Sequence, residues 1–238
     1  MKRALFARGK KVTLVFPGKA QYTVWGDRMR ILFEDSHLLV CEKPAGVISE
    51  EGGMPELLRE AAGCPEVYCV HRLDRETGGL MVYAKTRAAA AGLSKAIAEG
   101  KLEKEYLAVV QGQPESAGIY RDLLYRDAGK NKSYVVKRQR RGVREAELSY
   151  RLLDSQDGLS LVRIRLETGR SHQIRVQFAS RKQPLVGDKK YGSNYREAGL
   201  ALWSARLAFP HPVTGQALSF ELPPPKAWPW TLFLSTAL

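Results

Sequence analysis

The sequence predicts an α+β fold built on a mixed, mainly antiparallel β-sheet. Many short segments alternate apolar and polar residues or concentrate β-forming residues, whereas few show helical periodicity. Strand and helix patterns do not follow one another in the regular order that a doubly wound parallel sheet requires. At 238 residues, 44% of them apolar, the chain can bury a sizeable core as one large domain or two small ones.

Strands account for most of the predicted elements. Residues 30–46 contain two apolar runs split by two acidic residues, which predict a strand hairpin followed by a tight turn at Pro44–Gly46. Residues 211–222 predict a second hairpin that turns near Gly215. Further strands are predicted over residues 67–70, 80–84, 105–112, 146–153, 159–166 and 201–209.

Three short helices are predicted between the strands. The first covers residues 54–63 and ends at a glycine. The second covers residues 86–100, with Thr86 as its N-cap and a glycine after its end. The third covers residues 171–181, and the Pro-rich residues 223–230 predict a surface segment.

The positive charge of the chain, +13 in total, is concentrated in two blocks. Residues 1–30 and residues 126–144 each carry eight Lys or Arg against a single acidic residue. Such blocks attract polyanions, and neither has the apolar face of a helix that lies on a membrane. We therefore expect flexible, phosphate-gripping segments and a nucleic acid partner, RNA or DNA. Residues 1–30 are expected to form a basic N-terminal extension.

The sequence gives no sign of a metal centre or a cofactor. The three cysteines form no CxxC pair and the four histidines have no metal-ligand spacing, so no metal is expected. No glycine-rich loop of the Rossmann or Walker type supports a nucleotide cofactor. The apolar runs fall short of the ~18 residues of a spanning helix, and no signal-peptide pattern is present, so we expect a cytoplasmic protein.

Residues 71–79, HRLDRETGG, concentrate charged side chains between two predicted strands. Taken alone, Asp74 fits a turn residue or a helix N-cap. The arginines that flank it, together with Arg170 and Arg175 in another charged segment, favour a carboxylate that is kept ionised and held in one rotamer. Such a carboxylate is a usable nucleophile.

Three further side chains have alternative interpretations. Tyr106 either packs in the core or stacks on a flipped base. His172 is either a structural hydrogen-bonding group or a catalyst, and Lys43 either grips a phosphate or is solvated. No Ser-His-Asp or Cys-His arrangement and no deaminase signature accompanies them.

Five motifs follow one another along the chain: KPAG at 43–46, HRLDRETGGL at 71–80, KEYLAVV at 104–110, TGRSHQIR at 168–175 and GDKKYG at 187–192. In this set and order the chain resembles the RluA-type pseudouridine synthases over residues 31–222. One motif alone is weak evidence, whereas five in the same order are specific. The resemblance implies the pseudouridine synthase fold, a bent, mixed, mainly antiparallel sheet with flanking helices.

The resemblance also implies an isomerase that acts on structured RNA, ribosomal or transfer RNA, without metal or cofactor. Such an enzyme extrudes a uridine, breaks its N1–C1′ bond, rotates the uracil and rejoins it through C5. Asp74 would be the catalytic aspartate, which attacks C1′ or assists formation of a glycal. Tyr106 would stack on the uracil or act as a base at the sugar, and Arg175 would pair with the aspartate.

A second group of residues is implied to bind the RNA or the extruded uracil. Arg72 would contact the RNA around the extruded nucleotide, Ile174 would lie beneath the base, and Lys43 would support the site. The basic blocks would supply phosphate contacts. The predicted binding set is Arg72, Ile174, Lys43, Arg170, His172, Lys137, Arg138, Arg140 and Arg141.

The chain departs from the family pattern in two places. Gly78 stands where the family usually has serine, which removes a hydroxyl beside the catalytic loop. Many relatives carry an S4 RNA-binding domain ahead of the catalytic core, and the residues before position 31 are too few for one. A catalytic domain over residues 31–238 is therefore expected to hold the RNA with its own basic surfaces, as a monomer.

Two other functions stay open beside the isomerase. A catalytically silent RNA-binding module would have lost one of Asp74, Tyr106 and Arg175, yet all three are present. A metal-dependent nuclease needs clustered carboxylates, and residues 71–79 offer only Asp74 and Glu76 on opposite sides of a turn. Both alternatives are less well supported than the isomerase.

Overall fold

The computed structural model describes residues 11–14, 22–25, 29–195 and 197–235. The chain divides into two compact units. The first unit lies within Met1–Leu102 and Phe209–Leu218, and the second within Glu103–Ala208 and Ser219–Leu238.

The first unit combines an antiparallel sheet with two helices. Its strands are β1 (Lys11–Leu14), β2 (Tyr22–Trp25), β3 (Met29–Glu34), β4 (Leu38–Lys43), β5 (Tyr68–Cys69) and β6 (Gly78–Ala84). Its helices are α1 (Met54–Ala62) and α2 (Arg87–Ala98). The strands pair in the order β1-β2-β3-β4-β6, and the short β5 pairs with β6.

Local interactions explain where these elements begin and end. The strand β6 is buried at every position, as its apolar sequence GGLMVYA requires. The hairpin between β3 and β4 is closed by Asp35, whose carboxylate accepts the N–H groups of His37 and Leu38 at 2.7 and 2.8 Å. Helix α2 is capped by the Thr86 hydroxyl, which accepts the Ala89 N–H at 3.1 Å. The hairpin predicted within residues 30–46 and the predicted Thr86 cap are confirmed.

Within its described residues, the second unit contains seven strands and one α-helix. Its strands are β7 (Glu103–Gln111), β8 (Ala117–Asp127), β9 (Lys132–Val136), β10 (Val143–Gln156), β11 (Leu159–Leu166), β12 (Leu202–Pro210) and β13 (Ala217–Glu221), of which β12 and β13 extend past the unit boundary. Helix α3 covers Gln173–Ser180. The strands pair in the order β12-β7-β11-β10-β8-β9, and β13 pairs with β12.

Helix α3 is packed against the strands β8 and β10. The ring of Phe178, which is fully buried, lies 5.1 Å from the ring of Tyr120 and 5.4 Å from that of Tyr150. Every strand pair with a described register is antiparallel. The predicted α+β class is therefore confirmed.

The basic block at residues 126–144 is more ordered than the flexible segment that the sequence predicts. It contains the end of β8, the whole of β9 and the start of β10, so only residues 128–131 and 137–142 lie between strands. In β9 the Ser133 side chain is buried, and Val135 packs against the apolar cluster that includes Val176 of α3. The β-forming residues of KSYVV favour a strand here. The surrounding lysines and arginines make this strand pattern hard to recognise in the sequence.

The tail is also less exposed than predicted. Trp228 is exposed, but Trp230 is buried in a short 3-10 turn over Trp230–Phe233. At the other end of the chain, the backbone of β2 pairs with β3. The separate basic extension over residues 1–30 stays a prediction, because most of these residues lie outside the described part.

Candidate active site

The loop of residues 71–77, which carries Asp74, is anchored on both sides of the aspartate. The Ser49 hydroxyl accepts the N–H of Leu73 at 3.0 Å and donates to its carbonyl oxygen at 2.9 Å. The N–H of Thr77 donates to the Asp74 carbonyl oxygen at 3.0 Å and closes a turn. The Asp74 side chain is half-buried, so a fixed backbone presents a partly desolvated carboxylate.

His71 fixes the start of this loop. Its side chain is buried, and its Nε2 atom accepts the N–H of Val82 in β6 at 3.2 Å. Neither His71 nor Ser49 was predicted from the sequence to have a role at the site. The position of His71 at the head of HRLD was the only available signal, since Ser49 is far from the motif along the chain.

The KPAG turn contributes a buried cation. Lys43 is 0% exposed. Its ammonium donates to the carbonyl oxygens of Pro44, Val47 and Arg75 at 2.9, 2.6 and 3.1 Å. The N–H of Gly46 donates to the same Arg75 carbonyl oxygen at 2.8 Å. These bonds tie the KPAG turn to the loop that carries the aspartate.

The buried position of Lys43 corrects two of its interpretations. A side chain with 0% exposure, whose ammonium donates to three backbone carbonyls, is not solvated and is not turned toward an RNA phosphate. The supporting role that the family resemblance implies is compatible with this geometry.

Lys43 is also electrostatically linked to the loop. Burial lowers the pKa of Lys43 to about 8, because desolvation penalises the ammonium form. The carboxylates of Glu76 and Asp74 oppose this shift by attracting the cation. At neutral pH the two carboxylates of the loop therefore lie near a largely protonated lysine.

Arg72 lies on the exposed side of the loop. Its guanidinium is 3.0 Å from the Glu50 carboxylate, and the two side chains are 52% and 57% exposed. An exposed ion pair of this kind contributes little to stability. Arg72 can therefore leave Glu50 and bind another anion at little cost in free energy.

Gly78, the departure from the family pattern, is the first residue of β6 and is buried. The neighbouring Thr77 hydroxyl is buried without a hydrogen-bond partner among the described residues. A serine at position 78 would therefore place its hydroxyl next to a threonine hydroxyl that makes no hydrogen bond among the described residues.

In the second unit, Tyr106 lies on β7, between the strands β11 and β12. It is paired with Ile164 of β11 on one side and with Ser204 of β12 on the other, and it is 5% exposed. The flanking strands hold this position rigidly, which suits an aromatic ring that has to present one surface to a base.

Arg175, on α3, is held by an acidic residue that the sequence analysis did not single out. Its Nε and Nη2 atoms donate to the two carboxylate oxygens of Asp188 at 2.7 and 2.9 Å. The two side chains are 5% and 0% exposed. A bidentate pair of this kind fixes the plane of the guanidinium. The GDKKYG motif therefore has a physical explanation in Asp188, which orients Arg175.

Ile174 and His172 lie beside Arg175 at the start of the same helix. Ile174 is 4% exposed. His172 has a positive φ of 54° at the N-cap, and its Nδ1 atom lies 2.9 Å from the Tyr191 hydroxyl. These contacts agree with the structural interpretation of His172. A contact with RNA stays a prediction.

The remaining predicted RNA-binding residues lie on the surface of the second unit. Lys137, Arg138, Arg140 and Arg141 are exposed between β9 and β10. The Arg140 guanidinium lies over the Tyr125 ring, 4.9 Å from its centroid. Arg170 is exposed, and its Nε donates to the Glu145 carbonyl oxygen at 2.9 Å. Each unit therefore brings part of the predicted site together. The meeting of Asp74 with residues of the second unit stays a prediction.

Two solved structures share this architecture. Human RNA Pseudouridylate Synthase Domain Containing 4 superposes with a TM-score of 0.72 at 24% identity, over 85% of this chain and 91% of that one. Human RNA Pseudouridylate Synthase Domain Containing 1 gives 0.72 at 23% identity, over 83% and 84%. The chain therefore has the pseudouridine synthase fold, as the motifs predict.

Sequence comparisons give the family. A family model described as RNA pseudouridylate synthase matches residues 37–180. Ribosomal large subunit pseudouridine synthase D of Zymomonas mobilis is 33% identical over 83% of this chain and 70% of its own length. The corresponding protein of Nitrosomonas europaea is 34% identical over 83% and 62%, and that of Pseudomonas aeruginosa 32% over 87% and 71%. The chain belongs to the RNA pseudouridylate synthase family, whose members are isomerases that act on RNA. It spans 62–71% of the length of these three relatives.

No helix among the described residues is both long and apolar enough to cross a membrane.

Proposed function

We propose that this protein converts a uridine of structured RNA, and specifically of the large-subunit ribosomal RNA, to pseudouridine, with Asp74 as the catalytic aspartate. The anchored loop that carries Asp74 is the observation on which the proposal rests. Membership of the family supports the reaction, and the names of the relatives support ribosomal over transfer RNA.

The residues are assigned to the reaction as follows. The enzyme extrudes the uridine from the RNA at a cost of a few kcal/mol, and stacking on Tyr106 recovers ~1–3 kcal/mol of it. Asp74 attacks C1′ or assists formation of a glycal, and the N1–C1′ bond breaks. The uracil rotates and C5 bonds to C1′, which releases the Asp74 carboxylate or, in the glycal route, is accompanied by return of the proton to C2′. The hydrogen of C5 leaves as a proton while N1 is protonated. The family resemblance assigns Arg175 to pair with Asp74 and Ile174 to lie beneath the base.

RNA binding is assigned to the exposed basic residues. Arg72 belongs to the loop that carries Asp74, and its side chain is exposed. The four cations between β9 and β10 are also exposed, so all five can contact phosphates. Phosphate contacts position the RNA without reading its sequence. The choice of uridine therefore has to depend on RNA shape and on the extruded base.

The test of the proposed function is the variant Asp74→Ala. We expect it to abolish pseudouridine formation and to leave the dissociation constant for ribosomal RNA within about twofold, because the phosphate contacts lie elsewhere. Release of tritium from RNA labelled at C5 of uridine measures the reaction, and filter binding measures the affinity.

Glu76→Gln is the matched control, because it neutralises the other carboxylate of the same loop, which is exposed. It should keep most of the activity. Wild-type turnover by Asp74→Ala would contradict the assignment of the catalytic aspartate.

We also propose a monomer in the cytoplasm. Tyr195 and Trp228 lie against each other, with ring centroids 5.4 Å apart, and an apolar pair of this size gives no support for an oligomer interface. The exposed large apolar side chains of the described residues are Ile48, Ile119, Tyr195, Val213, Trp228 and Leu234.

A further inference from the structure

Tyr191, in the GDKKYG motif, connects three segments of the second unit. Its hydroxyl oxygen accepts the backbone N–H of Ser133 in β9 at 2.8 Å. The same oxygen lies 2.9 Å from Nδ1 of His172, which precedes α3. The backbone N–H of Tyr191 donates to the Asp188 carboxylate at 3.2 Å. One residue thus joins β9 and the start of α3, through its hydroxyl, to the turn that holds Arg175, through its backbone N–H.

The face of the Tyr191 ring is occupied by cations. The guanidinium carbon of Arg175 lies 5.3 Å from the ring centroid, and the ammonium of Lys132 lies 5.1 Å from it. Contacts at these distances are attractive. Arg175 is therefore held by the Asp188 carboxylate and by the Tyr191 ring, two groups of one short turn.

Two further hydrogen bonds reinforce the same junction. The Ser133 hydroxyl donates to the carbonyl oxygen of Ser171 at 2.6 Å, next to His172. The Lys190 ammonium donates to the carbonyl oxygen of Asn131, in the turn between β8 and β9, at 2.7 Å. These bonds attach the β8–β9 hairpin, whose turn lies in the basic block, to the residues just before α3 and to the turn that contains Asp188 and Tyr191.

We infer that Tyr191 is a positioning residue, which couples RNA contacts on the basic hairpin to the orientation of Arg175. This inference rests on the proposed function. A phosphate bound at the hairpin restrains β9, the Tyr191 hydroxyl transmits that restraint to the start of α3, and the guanidinium of Arg175 keeps its plane for the reaction. Small displacements of a catalytic group reduce rate more than binding.

The first test compares Tyr191→Phe, which removes only the hydroxyl, with Tyr195→Phe on the following exposed segment. The probe is large-subunit ribosomal RNA labelled with tritium at C5 of uridine. For Tyr191→Phe we expect the single-turnover rate at saturating enzyme to fall roughly tenfold, with a change in RNA dissociation constant below about twofold. Tyr195→Phe should match the wild type in both. A wild-type rate in Tyr191→Phe would overturn the inference.

The second test measures coupling directly. Arg126→Gln with Lys130→Gln, which removes two exposed cations of the β8–β9 hairpin, should slow the saturated rate in the wild-type background and leave it unchanged in the Tyr191→Phe background, because the connection is already broken. Equal fractional slowing in both backgrounds overturns the inference. So does a rate loss that disappears once only the folded fraction, measured by urea unfolding, is counted.

The two proposals fail in different ways. If the wild type releases no tritium from any RNA, the proposed function fails. If the wild type is active, Asp74→Ala is inactive and Tyr191→Phe reacts at full rate, only the positioning role fails.

Discussion

Lys43 and Arg175 are both buried cations, but their partners differ. Lys43 donates to three backbone carbonyls, whereas Arg175 forms a bidentate pair with the Asp188 carboxylate. Carbonyl oxygens satisfy the hydrogen bonds of an ammonium without cancelling its charge, so desolvation by burial still lowers the pKa of Lys43. A carboxylate cancels the charge and also fixes the orientation of the guanidinium.

The lowered pKa of Lys43 predicts a stability change with pH. Its pKa is about 8 in the folded protein against an ordinary value of 10.5, so the unfolded chain binds more protons between these pH values. The contribution of Lys43 to the free energy of unfolding therefore rises by up to ~3 kcal/mol from pH ~8 to pH ~10.5 and is constant below that window. Urea unfolding at pH 7 and pH 10 should show the rise in the wild type and its loss in Lys43→Met.

Lys95→Met is the control for this prediction, since Lys95 is 77% exposed. It should follow the wild type at both pH values. A pH-independent difference between the wild type and Lys43→Met would contradict the lowered pKa.

The Arg175–Asp188 pair predicts a large effect of removing one partner. Asp188→Asn leaves a buried guanidinium without its carboxylate, which should lower the free energy of unfolding by ~3 kcal/mol or more. Urea unfolding at neutral pH measures this. The corresponding substitution in the exposed bidentate pair of Arg121 and Glu147, Glu147→Gln, should cost less than ~1 kcal/mol. Equal effects of the two would show that the buried pair is not special.

At the scale of elements, helix α3 is bonded to the β8–β9–β10 part of the sheet at several points. The Gln177 side chain donates to the Tyr120 carbonyl oxygen at 3.1 Å and to the Asp122 carboxylate at 2.7 Å. Gln173 donates to the Glu147 carbonyl oxygen at 3.0 Å. The helix that carries Arg175 is therefore integrated with the strands that carry the basic block.

The segment between β9 and β10 predicts a salt effect on RNA binding. Replacing Lys137, Arg138, Arg140 and Arg141 with glutamine should weaken binding and reduce the slope of log affinity against log salt. The slope should fall by ~0.7–0.9 for each RNA phosphate that the variant no longer neutralises. Affinities measured over a series of KCl concentrations give the slope.

The control replaces Arg163 and Arg165 of β11 with glutamine, since these arginines pair with Glu105 and Glu103 on the neighbouring strand β7. It should leave the slope nearly unchanged. If the four substitutions also leave the slope unchanged, the segment is a solvated surface.

For the whole molecule, the relatives predict where modification occurs. Pseudouridine maps of cellular RNA, with and without a functional gene for this protein, should differ in the large-subunit ribosomal RNA. The map of an Asp74→Ala strain should match that of the deletion. A difference confined to transfer RNA would move the proposed substrate to that class.

The sequence alone identified the fold class, the family resemblance and the loop that carries Asp74. These are local properties: strand periodicity, and short motifs whose residues are adjacent along the chain. The β9 strand was missed because its five residues lie among lysines and arginines, and the alternation is too short to outweigh the charge pattern.

Only the tertiary structure decided the partners of the buried groups. Lys43 is adjacent to its turn in sequence, but its burial and its bond to Arg75 depend on how the chain returns after 32 residues. The packing of a helix, a turn and a strand placed Asp188 within hydrogen-bond distance of Arg175 and Ser133 within hydrogen-bond distance of Tyr191. Burial and non-local hydrogen bonding are properties of the folded chain, so motifs can name the residues but cannot show what holds them.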